Sequence, residues 1–185
     1  MLIEQDKDSP HCYETNRKFI VQKDDIIADV GTAEGIWALN NAEKAGKIYL
    51  FESNRAWIKA LKNTFKQWKD KIVIVNKYVS NIDDDNNVTL DNFFKGKRID
   101  FIKTYIEGME IKLLEGGRDV LANNINLRLL LCAYHSKNDA ADLKELLQNN
   151  DFKAEYSKGY MLFIYDEKLE KPYIRRGLVM GMKSV

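Results

Sequence analysis

Proline is nearly absent from this chain: Pro10 and Pro172 are the two among 185 residues. Nothing between them has the composition of a linker, so a break into separate domains is not expected. Cysteine is equally scarce, with only Cys12 and Cys132. Small secreted domains carry dense, even-numbered cysteine frameworks, and this distant pair is not one. Cys132 reads instead as a buried, inert thiol, since free cysteines are among the most buried residue types. No apolar run approaches the roughly 18 residues that a membrane-spanning helix needs. Met1 to Pro10 is charged and has no apolar core, so a secretory leader is not expected. Neither sign of charge is in excess: 29 Lys+Arg stand against 28 Asp+Glu, a formal net of +1. A nucleic-acid binder usually has a strongly basic footprint, so that class of partner is not expected. The expectation is a soluble, cytoplasmic protein with no membrane partner.

What is present is the composition of a folded domain. Hydrophobic residues make up 45% and charged residues 31%, which excludes a mostly disordered chain. A chain of this length suits one domain and buries roughly 70% of its unfolded surface without a disulfide or metal staple. Residues 1–17 are polar and irregular and read as an N-terminal arm, and 18–185 as a single domain.

Within that domain, short apolar runs alternate with helical periodicity. Strands are expected at Ile26–Val30, Lys47–Phe51, Ile72–Val75, from Ile99, and at Leu127–Tyr134. Their near-continuous apolar character signals burial on both faces. Helices are expected at Glu34–Ala45, with Ile36, Leu39 and Ala42 on one face, and at Arg55–Lys69, with Trp57, Leu61, Phe65 and Trp68 inward. Further helical sequence runs over Thr89–Phe94, Gly108–Asn123 with a break at Gly116-Gly117, and Ala140–Asn149. The stretch Asn81–Asn87 reads as a loop. Phe152–Ser157 and Tyr160–Tyr165 flank Lys158-Gly159 and read as a hairpin, followed by a last strand at Tyr173–Met182. Alternating strands and helices make an α/β fold with a mostly parallel sheet, Rossmann-like in layout, and an antiparallel C-terminal edge.

Open α/β sheets bind ligands at the carboxyl ends of their strands. The first strand ends in Asp29-Val-Gly31-Thr32-Ala-Glu34-Gly35. Gly31 permits a sharp turn and close backbone approach, and Gly35 permits close helix packing. Glu52 ends the second strand, 23 positions after Asp29, where an acid can accept hydrogen bonds from both ribose hydroxyls. A dinucleotide wants G-x-G-x-x-G so that pyrophosphate meets the helix start. Here the middle glycine is missing and Glu34 puts a negative charge at that point. S-adenosylmethionine (SAM) has no phosphate, and its cationic amino group suits an acid such as Asp29. The loop therefore favours SAM over NAD.

In this order, Asp29-Val-Gly31 with Gly35, Phe51-Glu52-Ser53, Thr89-Leu90-Asp91 and Ile99-Asp100-Phe101-Ile102-Lys103 resemble the FkbM-type family of SAM-dependent methyltransferases. The resemblance runs from about Phe19 to the C-terminal strands. Its most specific part follows the fourth strand, where the family has a string close to K-I-D-V-E-G-A-E and this chain has Lys103-Thr-Tyr-Ile-Glu-Gly-Met-Glu110. Cys132-Ala-Tyr-His135 is similar to a fifth-strand variant within the family. The resemblance implies a class I methyltransferase fold, SAM as cofactor, and methyl transfer, commonly to a hydroxyl oxygen of a small molecule or glycan. It assigns Asp29, Gly31, Thr32 and Gly35 to the loop holding the methionine part of SAM, and Glu52 and Ser53 to its ribose. Val79 and Ser80 would lie beside the adenine.

One position departs from the family: its aspartate is Tyr105 here. A tyrosine is neutral near pH 7, with a pKa of about 10, so it cannot orient an acceptor or hold a metal as an acid would. Either another residue does acid–base work, or the acceptor differs, or the domain binds SAM without turnover. Glu107, Glu110, His135 and Tyr105 are the candidate catalytic residues, since they belong at the carboxyl ends of the fourth and fifth strands. Glu107 and Glu110 are three apart, so a helix beginning there would carry both carboxylates on one face. Glu107, Glu110 and His135 are the one metal-ligating set that suggests itself, but no ligand spacing demands it and no metal is expected. Arg175, Arg176 and Lys158 read as surface residues that could meet an anionic acceptor. His11 and Cys12 receive no role. The short N-terminus leaves the substrate site either open or completed by a second subunit in a homo-oligomer.

Overall fold

The computed structural model describes residues 5–14, 17–162, 171 and 173–183. The first strand, β1 (Ile26–Val30), is an interior strand, third of seven in the main sheet. Parallel neighbours on one side are β2 (Lys47–Phe51) and then β3 (Ile72–Val75). A two-stranded parallel pair follows in the chain, β4 (Tyr78–Val79) with β5 (Asn87–Val88). On the other side of β1 run β6 (Phe101–Thr104) and β7 (Arg128–Cys132), both parallel. The remaining strands are β8 (Phe152–Tyr156), β9 (Met161–Leu162), β10 (Ile174–Arg175) and β11 (Leu178–Lys183). The sheet order is β3-β2-β1-β6-β7-β11-β8, with β11 antiparallel to both of its neighbours. The α/β expectation with an antiparallel edge is met.

Among the described residues six α-helices connect these strands: α1 (Ile36–Asn41), α2 (Arg55–Thr64), α3 (Leu90–Phe94), α4 (Glu110–Glu115), α5 (Arg118–Asn123) and α6 (Asp139–Asn149). Two of their starts carry a side-chain cap. Asn54 caps α2 by accepting from the Ala56 amide at 2.9 Å, and Thr89 caps α3 by accepting from Asn92 at 3.1 Å, which satisfies donors the helix itself cannot. The break between α4 and α5 falls at Gly116-Gly117, as expected.

Side-chain alternation along the strands builds two apolar layers. Ala28, Val30, Phe51, Ile102, Leu129 and Leu131 join Leu90, Phe94 and Leu113 on one face. Ile27, Ile48, Leu50, Phe101 and Leu130 meet Trp37, Leu61 and Phe65 on the other. At the amino end of the sheet, Arg128 forks onto both Asp25 oxygens at 2.7 and 2.8 Å, tying β7 to the approach to β1.

Four local expectations fail. In α1, Ile36 and Leu39 are about two-fifths exposed, while Trp37, Ala38 and Asn41 are buried. The helix starts two residues later than its pattern suggested, and the large Trp37 ring takes the inner face against Phe101 and Tyr13. In α2, Trp57 is 38% exposed and is not core. The hairpin across Lys158-Gly159 is not formed among the described residues: β8 pairs with β11, and β9 pairs with β10 in a separate ribbon. Tyr165 and its neighbours lie outside the described residues. The last strand is interrupted at Arg176-Gly177.

Candidate functional site

Everything the sequence singled out near β1 lies at the carboxyl ends of β1, β2 and β6. Gly31 has φ 72°, and a Cβ there would overlap the carbonyl of Tyr105, so only glycine lets the β1 loop pass so close to the β6 loop. Gly35 has φ 75°, and a Cβ would come within 2.8 Å of Leu61 and Phe65. It sets the packing of α1 on α2 and lines neither of the cavities described below. Asp29 is fully buried. The β1–β6 register sets it directly beside Lys103, whose Nζ reaches Asp29 Oδ1 at 2.9 Å and the Gly31 carbonyl at 3.3 Å. Thr32 Oγ1 donates to the other Asp29 oxygen at 2.7 Å. Asp29 therefore shapes the loop from beneath, with both oxygens engaged by the protein.

A cleft of about 640 Å³ opens above this loop, within the usual range for small-molecule sites. Glu52, Ser53, Trp57, Tyr78, Val79, Tyr105 and Glu107 line it. Glu52 accepts from the Ala33 amide at 2.9 Å and from the Asn54 amide at 2.8 Å. These two bonds fix its carboxylate at the wall, and each oxygen keeps a second lone pair for a ligand. Ser80 is buried behind the wall, donating to the Ile82 carbonyl and the Asn87 side chain at 3.4 Å. It does not line the cleft. The Asn81–Asn87 loop is an organised part of that wall. Asp84 accepts from the Asn86 and Asn87 amides at 2.7 Å, and Asp83 accepts from the Thr89 amide and hydroxyl at 2.9 Å. These bonds hold both carboxyls below their usual pKa, the Thr89 amide leading for Asp83 and the Asn87 side chain for Asp84.

Tyr105 also borders a second cavity, of about 120 Å³. Gly31 and Ala33 belong to both linings. The second cavity is lined by the N-terminal arm, through Gln5, His11, Cys12, Tyr13 and Glu14, and by Ile36, Trp37 and Lys103 from the domain. The arm is thus part of the site, and the sequence reading missed His11, Tyr13 and Lys103. His11 is 1% exposed. Its Nε2 lies 3.1 Å from the Tyr13 hydroxyl and 3.3 Å from Cys132 Sγ. Burial, reinforced by the Lys103 charge, lowers its pKa to about 3, so the imidazole is neutral at physiological pH. Burial, then the neighbouring Cys132, push the Tyr13 and Tyr134 phenols well above their usual values. No local pattern marks His11, because its partner Cys132 is 121 positions away. Lys103 did carry a signal, as the lysine opening the string that includes Tyr105.

Glu107 and Glu110 do not share a helix face. Glu107 sits in a left-handed turn, φ 51°, before α4 begins, and points to the cleft. Glu110 turns inward and is 2% exposed. Its Oε1 accepts from Thr104 Oγ1 at 3.3 Å and the Ile106 amide at 3.2 Å. Burial lifts its pKa to about 7. His135 is half-buried, stacked on Tyr134 with ring centroids 4.6 Å apart, and burial lowers its pKa. Glu110 and His135 come together with Cys132 rather than with Glu107. Arg175 is not a surface residue: it is buried and donates to the Tyr134 and His135 carbonyls, both at 2.8 Å. Arg176 stacks over Tyr160 at 4.0 Å, and Lys158 is exposed.

A central parallel sheet of order β3-β2-β1-β6-β7, an antiparallel strand inserted at its edge and a cleft over β1 and β2 define the class I methyltransferase fold. Within it the chain belongs to the FkbM methyltransferase family, whose domain matches residues 30–154. It is similar to the methyltransferase FkbM of Methylobacillus flagellatus KT, with a TM-score of 0.70 and 18% identity, over 94% of this chain and 47% of that one. The chain thus spans about half the length of that relative. An rRNA methylase from Streptococcus thermophilus aligns with a TM-score of 0.61 and 18% identity, over 89% of this chain and 90% of that one. TrmK from M. capricolum, solved with its cofactor product S-adenosylhomocysteine, aligns with a TM-score of 0.55 and 12% identity, over 90% and 65% of the two chains. No curated protein matches the sequence. Among the described residues no helix is long and apolar enough to cross a membrane.

Proposed function

We propose that this chain transfers a methyl group from SAM to a hydroxyl oxygen of a small metabolite or of a glycan end. The observation that carries this reading is the pairing of a large cleft with a smaller cavity beside it, with Tyr105 on the border of both. The cleft suits SAM. Glu52 offers oxygens at its wall, Trp57 and Tyr78 offer faces for a base, and Gly31 lets backbone approach without a side chain. When bound, SAM supplies a methyl group on a cationic sulfonium, ready for in-line displacement.

The chain's own residues then have three tasks. Glu52 binds the ribose hydroxyls. Tyr105 and the arm residues hold the acceptor in line with the methyl group, and such positioning can supply most of the rate enhancement. Glu107, which faces the cleft, takes the proton that the acceptor hydroxyl sheds as the new bond forms. Glu110 and His135 line neither cavity; they act by holding the β6 loop that carries Tyr105, Glu110 through the Ile106 amide and His135 through its ring beside Tyr105. The cavity of about 120 Å³ admits a few non-hydrogen atoms, which supports a small acceptor or a chain end over a stacked nucleobase.

Tyr105 also favours a second reading, a methyltransferase-like module that binds SAM without turnover. One assay separates the two: transfer of labelled methyl from SAM to a panel of hydroxylated metabolites, glycans and RNA. An O-methylated small product supports the proposal. Label in RNA alone overturns the acceptor class, and SAM binding with no transfer to any acceptor favours the binding module.

A further inference from the structure

Behind Tyr105, three side chains of different chemistry converge. One ligand atom each from Glu110, Cys132 and His135 lies within 4.8 Å of the other two. Glu110 and Cys132 are buried, and His135 is half-buried. They come from three separately anchored places: the first turn of α4, the last residue of β7, and the loop three residues beyond it. The Cys132 amide donates to Thr104 Oγ1 at 3.3 Å, and the Ala133 amide donates to the Gly177 carbonyl at 3.0 Å. Arg175 clamps the Tyr134 and His135 carbonyls. The cluster is preorganised by backbone and by a buried guanidinium, not by mobile surface chains.

We propose that Glu110, Cys132 and His135 form a binding site for one zinc-class divalent ion. A sulfur, a nitrogen and an oxygen donor together suit Zn²⁺ and its first-row neighbours, whereas Mg²⁺ and Ca²⁺ take oxygen ligands. Three protein ligands leave a tetrahedral position open. The charges close: a thiolate and a carboxylate balance the ion, and the imidazole binds neutral. Binding releases the thiol proton, and the carboxyl proton where present, to solvent, with no change of oxidation state. His11, 3.3 Å from Cys132 Sγ, can donate a hydrogen bond to the metal-bound sulfur. Cys132 and His135 are three positions apart, but Glu110 comes from α4, so sequence spacing shows only two of the three ligands. This inference is independent of the methyl-transfer reading.

The test uses the full chain after chelator treatment, titrated with Co²⁺ and followed by absorption. One Co²⁺ per chain should bind, with tetrahedral d–d bands and a near-ultraviolet sulfur-to-metal band. Zn²⁺ should displace it and Mg²⁺ should not. Cys132→Ser should lose the sulfur band, and Cys12→Ser should keep it. His135→Ala, at the half-buried position least needed for folding, should weaken Co²⁺ binding by about 100-fold or more, since loss of even an outer partner costs about 10–100-fold. Circular dichroism confirms that each variant is folded. Absence of the sulfur band in the parent, its persistence in Cys132→Ser, or unchanged affinity in folded His135→Ala overturns the proposal.

Discussion

At the scale of single residues, the site is built on one buried ion pair. Asp29 and Lys103 are neighbours in the β1–β6 register, and almost no water reaches either. Removing one partner leaves a bare charge in the core, which costs about 3–5 kcal/mol. Lys103→Met should therefore lower stability by about that amount, and the Asp29→Asn/Lys103→Met double variant should recover most of it. Denaturant unfolding of the four species closes the cycle. Because Asp29 is committed to Lys103 and Thr32, loss of SAM binding in Asp29→Ala would report a collapsed loop as much as a lost contact. Glu52 is the more direct probe, because it lines the cleft and Asp29 does not. Hydrogen bonds to a charged group contribute about 1.5–3 kcal/mol, so Glu52→Ala should weaken SAM binding by at least about tenfold, and the thermal midpoint should fall as the Ala33 and Asn54 amides lose their acceptor. Gly31, Gly35 and Glu52 were legible in the sequence because their demands are local: a turn, a close approach, an acid at a strand end. Lys103 as the partner of Asp29 was not, since it takes the sheet register to join them.

At the scale of elements, legibility followed the hydrophobic period. The central strands carry continuous apolar runs and appear where that pattern put them. Failures fell where pattern and packing compete. In α1 the bulk of Trp37 outweighed the Ile36–Leu39 stripe, and near the C-terminus β8 took β11 as partner in preference to a hairpin with β9. The Asn81–Asn87 loop shows polar sequence doing structural work, since Asp83 and Asp84 tie it to α3 and to its own backbone. Both carboxyls are held below their usual pKa, so the folded loop binds protons less readily than the unfolded chain. Its contribution is complete above the unfolded carboxyl value of about 3.9 and is lost as pH falls below it. The protection factors of the Asn86, Asn87 and Thr89 amides, relative to the unfolded chain, should fall below about pH 4 while β1 and β6 stay protected. Asp84→Ala should produce the same loosening at neutral pH.

At the scale of the whole molecule, the arm and the domain form one site. Tyr13 is buried between Lys103, Trp37 and His11, and losing a buried aromatic costs about 3–5 kcal/mol. Tyr13→Ala should lose roughly that much stability and should slow methyl transfer. SAM affinity should hold, since none of the described arm residues lines the cleft over β1 and β2. The opposite pattern, weakened SAM binding with normal turnover, would detach the arm from the acceptor side. Long-range closures of this kind hide best from sequence: a polar arm without periodicity looks idle until the fold places it.

The central claim is that the cleft over β1 and β2 holds SAM, and calorimetric titration of the full chain with SAM, S-adenosylhomocysteine and NAD tests it most directly. The account predicts one site for each sulfur ligand, both weakened in Glu52→Ala, and no heat with NAD. Binding of NAD alone, or of none of the three, would contradict it.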